Sequence, residues 1–280
     1  MSPSLTWRIL GRLREDKVVV LSLCWLVFVG RLCFFGPYGS SYDYHSQNLA
    51  LGAQRPSWSH WCGTDMLGRD LFVRTLYGGR VSLSVGLAAT GVTVFIGVVY
   101  GSLAGYLGGL WDRWLMRFVD IVYPLPVTLL VILLMAFCGR NIVLLFVAIG
   151  CVKWLTIARI VRSQVRMIRN CAFVSCAQNL GQTPLGIWRW HLLPNLLGPV
   201  TLYAALTVPN IILEEAFLSF LGLGVQPPMS SWGSLIFEGA KYMEEYPWLL
   251  IAPCVLFSLT LFSLNFLGDG LRDAFDPTGP

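Results

Sequence analysis

Two adjacent carboxylates, Glu214 and Glu215, interrupt a run from Pro199 to Leu221 that otherwise lacks Asp, Glu, Lys and Arg. A carboxylate in hydrocarbon costs at least about 2.5 kcal/mol, so each needs water or a partner. Consecutive helical residues point in different directions, and only one of the two can easily face the inside of a bundle. Either one of them lines a solute path, or they pair with Arg31 or Arg80 at an outer boundary. A second charged set, Asp65, Arg69, Asp70 and Arg74, has the spacing of two i,i+4 pairs if the stretch is helical. Such a helix either shapes an external mouth or lies salt-bridged on the surface. Other chemistry is missing from the sequence. His45, His60 and His191 show no metal-type pairing, and no serine or cysteine sits in a nucleophile motif. Gly is never followed by Lys, so there is no Gly-x-x-x-x-Gly-Lys-Ser/Thr phosphate loop. The chain is expected to hold no catalytic residue, metal or cofactor and to make no use of ATP by itself.

The elements that position these residues belong to a bilayer. The 280 residues are 55% hydrophobic and 12% charged, with a mean hydropathy of +0.64, outside the range of ordinary soluble domains. A spanning helix needs about 20 apolar residues. The charge-poor windows predict an all-α integral membrane protein with six spans: Val18–Phe35, a stretch within Val81–Trp111, Ile121–Gly139, Asn141 to about Ala158, Pro199–Leu221 and Tyr246–Gly268. Lys153 is placed where it could snorkel to the surface. Gly97, Gly101 and Gly105 suit close helix packing, and Pro124, Pro126 and Pro209 permit kinks. Trp25, Trp111, Trp154 and Trp248 read as interface anchors.

Basic residues orient the chain. With the N-terminus inside, the cytoplasmic segments hold Arg8, Arg12, Arg14, Lys17, Arg113, Arg117, Lys153, Arg159, Arg162, Arg166, Arg169, Arg189 and Arg272, thirteen of the twenty Lys and Arg. The other side holds Arg31, Arg55, Arg69, Arg74, Arg80, Arg140 and Lys241. Both termini are therefore expected in the cytoplasm. No small-residue cleavage site follows Phe35, so the first span is expected to stay. The net charge of +5 suits anionic lipid headgroups and does not argue for nucleic acid. Of the eight cysteines, Cys24, Cys138, Cys151 and Cys254 fall in spans and Cys171 and Cys176 on the cytoplasmic side. Cys33 and Cys62 are placed outside, where no spacing rule indicates a bridge.

The connection between the fourth and fifth spans is uniformly basic, with no acid between Asp120 and Glu214. Ala172–Leu180 reads as a helix ended by Gly181, and Thr183-Pro184 as the start of another that Pro194 and Asn195 break. The second helix carries Leu185, Ile187, Trp188 and Trp190, more apolar surface than a solvated loop needs. Either a partner docks there, or residues 171 to 195 lie on anionic lipid as an amphipathic hairpin.

Within this loop, Ser175-Cys176-Ala177-Gln178-Asn179-Leu180-Gly181, nine residues, and then His191-Leu192-Leu193-Pro194 resembles the Glu-Ala-Ala loop of ABC importer permeases. Ala177, Gly181 and Pro194 match the family pattern, whereas Ser175 and Cys176 stand where it has glutamate and its first alanine. Gly63-Thr64-Asp65-Met66-Leu67-Gly68-Arg69-Asp70, with Gly78, Gly79, Arg80 and Ser82, is similar to the segment before the second span of dipeptide, oligopeptide and nickel permeases. Residues 217 to 224 with Pro227-Pro228 and Trp232-Gly233, and residues 265 to 273 with Asp276-Pro277, resemble two further motifs of those permeases.

The resemblance covers residues 60 to 277 and implies the second, C-type permease subunit of an importer for short peptides or a similar solute such as nickel, in the bacterial inner membrane. It implies a homologous second permease, two ATPase subunits that bind ATP and Mg, and an external solute-binding protein. It also implies that Ser175, Cys176, Ala177, Gly181, Trp188, His191 and Pro194 belong to a loop coupling to the ATPase. Glu214 or Glu215 would then meet a peptide amino group. Residues 1–75 form the N-terminal tail, first span and external segment, and 76–280 the core with the coupling loop at 160–198. An ATP-independent transporter using Glu214 or Glu215 is the alternative; it calls for an internal repeat, and residues 1 to 140 and 141 to 280 show none. An intramembrane hydrolase would need a catalytic serine or paired aspartates in spans, and the spans contain no aspartate pair.

Overall fold

The computed structural model describes residues 11, 13–139 and 141–275. Arg8, Arg12, Arg140, Asp276 and Pro277 lie outside them. Among the described residues the regular structure is helical apart from one isolated bridge between Thr64 and Asp70. The elements are α1 (Lys17–Gly39), α2 (Leu71–Leu107), α3 (Gly109–Val122), α4 (Val127–Cys138), α5 (Ile142–Arg169), α6 (Ala172–Asn179), α7 (Pro184–Ile187), a π-helical turn (Trp188–Leu192), α8 (Leu193–Phe220), α9 (Trp232–Lys241) and α10 (Trp248–Phe275).

Among the described residues five helical runs are long and apolar enough to cross a membrane: Lys17–Gly39, Leu71–Leu107, Val143–Arg169, Pro184–Phe220 and Trp248–Phe275. The expected third span differs. Its segment divides into α3 and the 12-residue α4, and 12 helical residues reach only about 18 Å, short of the ~30 Å hydrocarbon core. The break follows from Pro124 and Pro126, which have no N–H to give to the carbonyls of Asp120 and Val122; the Leu125 amide turns back to Val122 O at 3.1 Å instead. The kinks expected at these prolines are thus a full interruption.

The expected break at Pro194 and Asn195 does not occur. The chain runs from α7 through the π turn into α8. The Leu193 amide bonds Trp188 O, five residues back, and this wider turn accommodates Pro194 within a continuous helix. The second span also begins earlier than expected, because Asp70 caps α2 by accepting from Val73 N at 2.9 Å.

Helices α2 and α5 form the central seam. A Cβ at Gly97 would lie 2.6 Å from the Ile157 side chain, and one at Gly105 2.8 Å from Arg162 O, so the glycines let the two backbones approach. Gly150 does the same for α5, where a Cβ would meet Val92 at 2.8 Å. Val131 and Met135 of α4 join Val85, Ala89, Leu145, Ile149 and Ile211 in one buried cluster. Near the other end of the seam Arg162 Nε and Nη2 hold the Asp112 carboxylate at 2.5 and 2.6 Å. Arg159 Nη2 reaches Asp120 at 2.7 Å and its guanidinium lies 3.9 Å from the Tyr123 ring centroid. Helix α3 is thereby pinned to α5.

Candidate functional site

The motif at residues 63 to 70, expected outside, is a buried knot rather than a surface helix. Gly63 and Gly68 adopt left-handed conformations at φ +81° and +69°, and a Cβ at Gly63 would be 2.9 Å from the Trp248 ring. Thr64 Oγ1 donates to Gly52 O at 2.7 Å and accepts from Gln54 N at 2.8 Å. Asp65 Oδ1 accepts from the amides of Leu67 and Arg69 at 2.8 and 3.0 Å. Its Oδ2 takes Arg69 Nε at 2.6 Å and Arg74 Nη1 at 2.5 Å. The expected Asp65–Arg69 pair is present. The Asp70–Arg74 pair is not: Asp70 is occupied by Val73 N and by His60 Nδ1 at 2.8 Å, while Arg74 goes to Asp65 and to Glu238 Oε2 at 2.9 Å. Asp65, Asp70 and Arg74 are all buried. The knot fastens the start of α2 to α9.

Cys33 is enclosed in α1 rather than external, where it faces Gly79 and Trp232, and both it and Cys62 are free thiols. Burial pushes the Cys62 thiol above its ordinary range, and the nearby Asp70 charge adds to that.

Within the spans, the two glutamates separate. Glu215 is wholly enclosed: Oε2 accepts from Ser82 Oγ at 2.9 Å and Oε1 from Ser219 Oγ at 2.7 Å. Glu214 forms an ion pair with Lys153, with side chains 22% and 25% exposed. Neither glutamate meets Arg31 or Arg80; Arg80 Nη1 donates to Tyr38 Oη at 3.0 Å. Lys153 therefore does not snorkel to the surface, because a carboxylate on the neighbouring helix holds it. Of the two carboxylates, only Glu214 reaches an open face.

The loop between α5 and α8 has two sides. Val174, Ala177, Ile187, Leu192 and Leu196 pack with Ile157, Val161 and Val165 of α5 in one buried cluster. Gly181 has φ +78°, and Thr183 Oγ1 accepts from Gly186 N at 3.2 Å ahead of Pro184, as the sequence predicts for a helix stop and start. His191 Nε2 lies 2.9 Å from Gln182 Oε1, bracing the turn. On the outer side Ser175, Cys176 and Arg189 are exposed, and Leu180, Leu185 and Trp190 are 84%, 73% and 67% exposed. Trp188 tucks against the inner cluster, so the outward aromatic is Trp190. The partners Lys153, Glu238 and Ser82 carry no signal in the sequence, since each lies far along the chain from the group it serves; His60, ten residues before Asp70, has no helical spacing to it.

Residues 97–278 match the family of binding-protein-dependent transport system inner membrane components, and residues 4–56 match the N-terminal TM domain of oligopeptide transport permease C. The oligopeptide transport system permease protein OppC of Haemophilus influenzae is 47% identical over 268 residues, 95% of this chain and 86% of that one. OppC of Escherichia coli K12 is 48% identical, covering 95% and 89%. The dipeptide transport system permease protein DppC of Bacillus subtilis is 42% identical over 272 residues, covering 97% and 84%. A solved chain of the inward-facing MetNI methionine ABC transporter is similar over 70% of this chain and 95% of its own, at 21% identity and a TM-score of 0.48. With both family matches and these relatives spanning nearly its whole length, this multi-pass chain belongs to the binding-protein-dependent inner membrane components, among the C-type permeases of bacterial ABC importers.

Proposed function

We propose that the chain is one of two homologous permease subunits of an ATP-driven importer that carries short peptides, or a similar small solute such as nickel, across the bacterial inner membrane. The relatives named as oligopeptide and dipeptide permeases support the peptide reading. The carrying observation is the two-sided cytoplasmic loop, whose inner face is built into α5 while Leu180, Leu185 and Trp190 stand outward. A loop that only lay in water would not present three large apolar side chains on so firm a base. Two ATPase subunits, which would bind ATP and Mg, dock on this face and on its counterpart in the second permease. Their closure pushes the loop, and α5 and α8, which are continuous with it, re-orient the path between the permeases. An external binding protein delivers the solute. In this arrangement α3 and α4 together make the third of six crossings, and both termini are cytoplasmic, as the distribution of basic residues requires.

The test is purification of the tagged chain from its own membranes in mild detergent, with wild type beside Leu185→Glu/Trp190→Glu. An ATPase subunit should accompany the wild type and be lost from the variant while the second permease stays. Failure of any ATPase to accompany wild type from an intact complex would refute the reading.

A further inference from the structure

Three features of the spanning helices meet at one depth. The first is the Lys153–Glu214 pair between α5 and α8, each side chain about a quarter exposed. Intramembrane charges face a bundle interior or a water-filled cavity, not lipid. The second is the face of α8 that carries Glu214. Tyr203, Thr207, Asn210 and Glu214 follow at i, i+4, i+7 and i+11, a polar stripe along one face of a mostly apolar helix. Thr207 Oγ1 donates to Tyr203 O at 2.6 Å and Asn210 Nδ2 to Leu206 O at 2.8 Å. Both donors are thus used within the helix, and the exposed Asn210 leaves its side-chain oxygen free to accept. The third is the interruption at residues 123 to 126, all four exposed. Val122 before it packs with the cluster of Trp154 and Leu155, and Val131 after it with the cluster of Val152. The break therefore lies at the level of Lys153. Non-helical backbone at membrane depth persists only inside protein or along a water-filled cavity.

On the reading that this chain is half of a peptide path, we propose that Lys153 and Glu214 are a solute-facing ion pair that opens to receive the two termini of a zwitterionic peptide in transit. The peptide ammonium goes to Glu214 and its carboxylate to Lys153. A closed pair keeps both charges satisfied when the path is empty, and exchange with a zwitterion never leaves either one unpaired. The pair thus passes a dipolar solute with less penalty than a singly charged one. Glu215 is shut off from this role by its serines, and Asp65 and Arg74 by their own buried contacts.

The test uses the purified complex in proteoliposomes with its binding protein and radiolabelled trialanine. Wild type is compared with Lys153→Met/Glu214→Gln, a pair that removes both charges together and leaves neither orphaned. Copurification of the other subunits checks assembly. The saturated import rate should fall by roughly 10-fold or more, the loss of a charge-assisted contact at each terminus. In a second arm, a chain with its native cysteines replaced carries Asn210→Cys beside the intact pair and is treated with a membrane-impermeant methanethiosulfonate. The thiol should react, and trialanine should protect it. Import by the neutral pair at the wild-type rate, or an unreactive thiol at position 210, overturns the proposal. If the neutral pair fails to assemble, the thiol arm decides. No import by the wild-type complex would overturn the peptide reading itself, and the proposal with it.

Discussion

Replacing Glu215 by alanine tests the logic of the buried serine cluster. Each contact to the carboxylate has a direction fixed by a backbone donor. Trp232 N donates to Ser82 Oγ at 3.2 Å, so the Ser82 proton goes to Glu215 Oε2 at 2.9 Å. Ser234 N donates to Ser231 Oγ at 3.2 Å, Ser231 to Ser219 Oγ at 3.2 Å, and Ser219 to Glu215 Oε1 at 2.7 Å. Two amides in the first turn of α9 are thus relayed through the hydroxyls of Ser82, Ser231 and Ser219 onto one carboxylate, with Trp232, the three serines and Glu215 all buried. Removing the acceptor orphans the Ser82 and Ser219 donors at about 1–3 kcal/mol each, or about 2–6 kcal/mol together. A hydroxyl that swings back to a carbonyl of its own helix sets the low end. On the scale of 2–4 °C per kcal/mol, the detergent-solubilised variant should lose at least about 4 °C in its melting midpoint by fluorescence-detected size exclusion. The control is Glu215→Gln, which leaves Ser82 and Ser219 in place to accept from Trp232 N and Ser231 and whose side-chain oxygen still accepts from one of the two serines, so that it should lose less than the alanine variant. A Glu215→Ala chain that melts with wild type, or a Glu215→Gln chain that loses as much as Glu215→Ala, would refute the argument.

Two further outcomes follow from the knot at the start of α2. Arg74→Met takes from the buried Asp65 one of its two cations and from the partly exposed Glu238 its shorter contact and should destabilise by about 1.5–3 kcal/mol, the loss of a charged hydrogen bond. Adding Glu238→Met should recover part of it, since Asp65 keeps Arg69; melting of the two variants checks both. Cys62, whose thiol is raised by burial and then by Asp70, holds less thiolate at a given pH than free cysteine, so its iodoacetamide labelling should reach half its limiting rate at a higher pH than free cysteine does. A midpoint at or below that of free cysteine would contradict this.

The membrane class, most span positions and the loop helices were legible in the sequence, because they depend on local properties. Charge-free windows of about 20 residues mark spans wherever they occur. Thr183-Pro184 and Gly181 set a helix start and stop by backbone chemistry alone, and the structure has both. The small-residue steps at Gly97, Gly101 and Gly105 announced a close seam and form one with α5. Pro194 misled because its usual effect as a helix breaker is absorbed by a π turn at the preceding residues. Pro124 and Pro126 went the other way, converting an expected kink into an interruption.

The partners of the buried charges were decided only by the tertiary structure. Glu214 and Glu215 are chemically identical neighbours, and the rotation of about 100° between consecutive helical residues sends the first to Lys153 and the second to a cluster of hydroxyls. Asp70 and Arg74 have the spacing of a pair, yet helix capping claims the aspartate and Glu238, 164 residues away, claims the arginine. Sequence patterns report what a residue can do with its near neighbours along the chain. In a bundle a buried charge is satisfied by whichever group the packing of helices brings within 3 Å or so, and that depends on how the glycines of α2 and α5 let the helices approach.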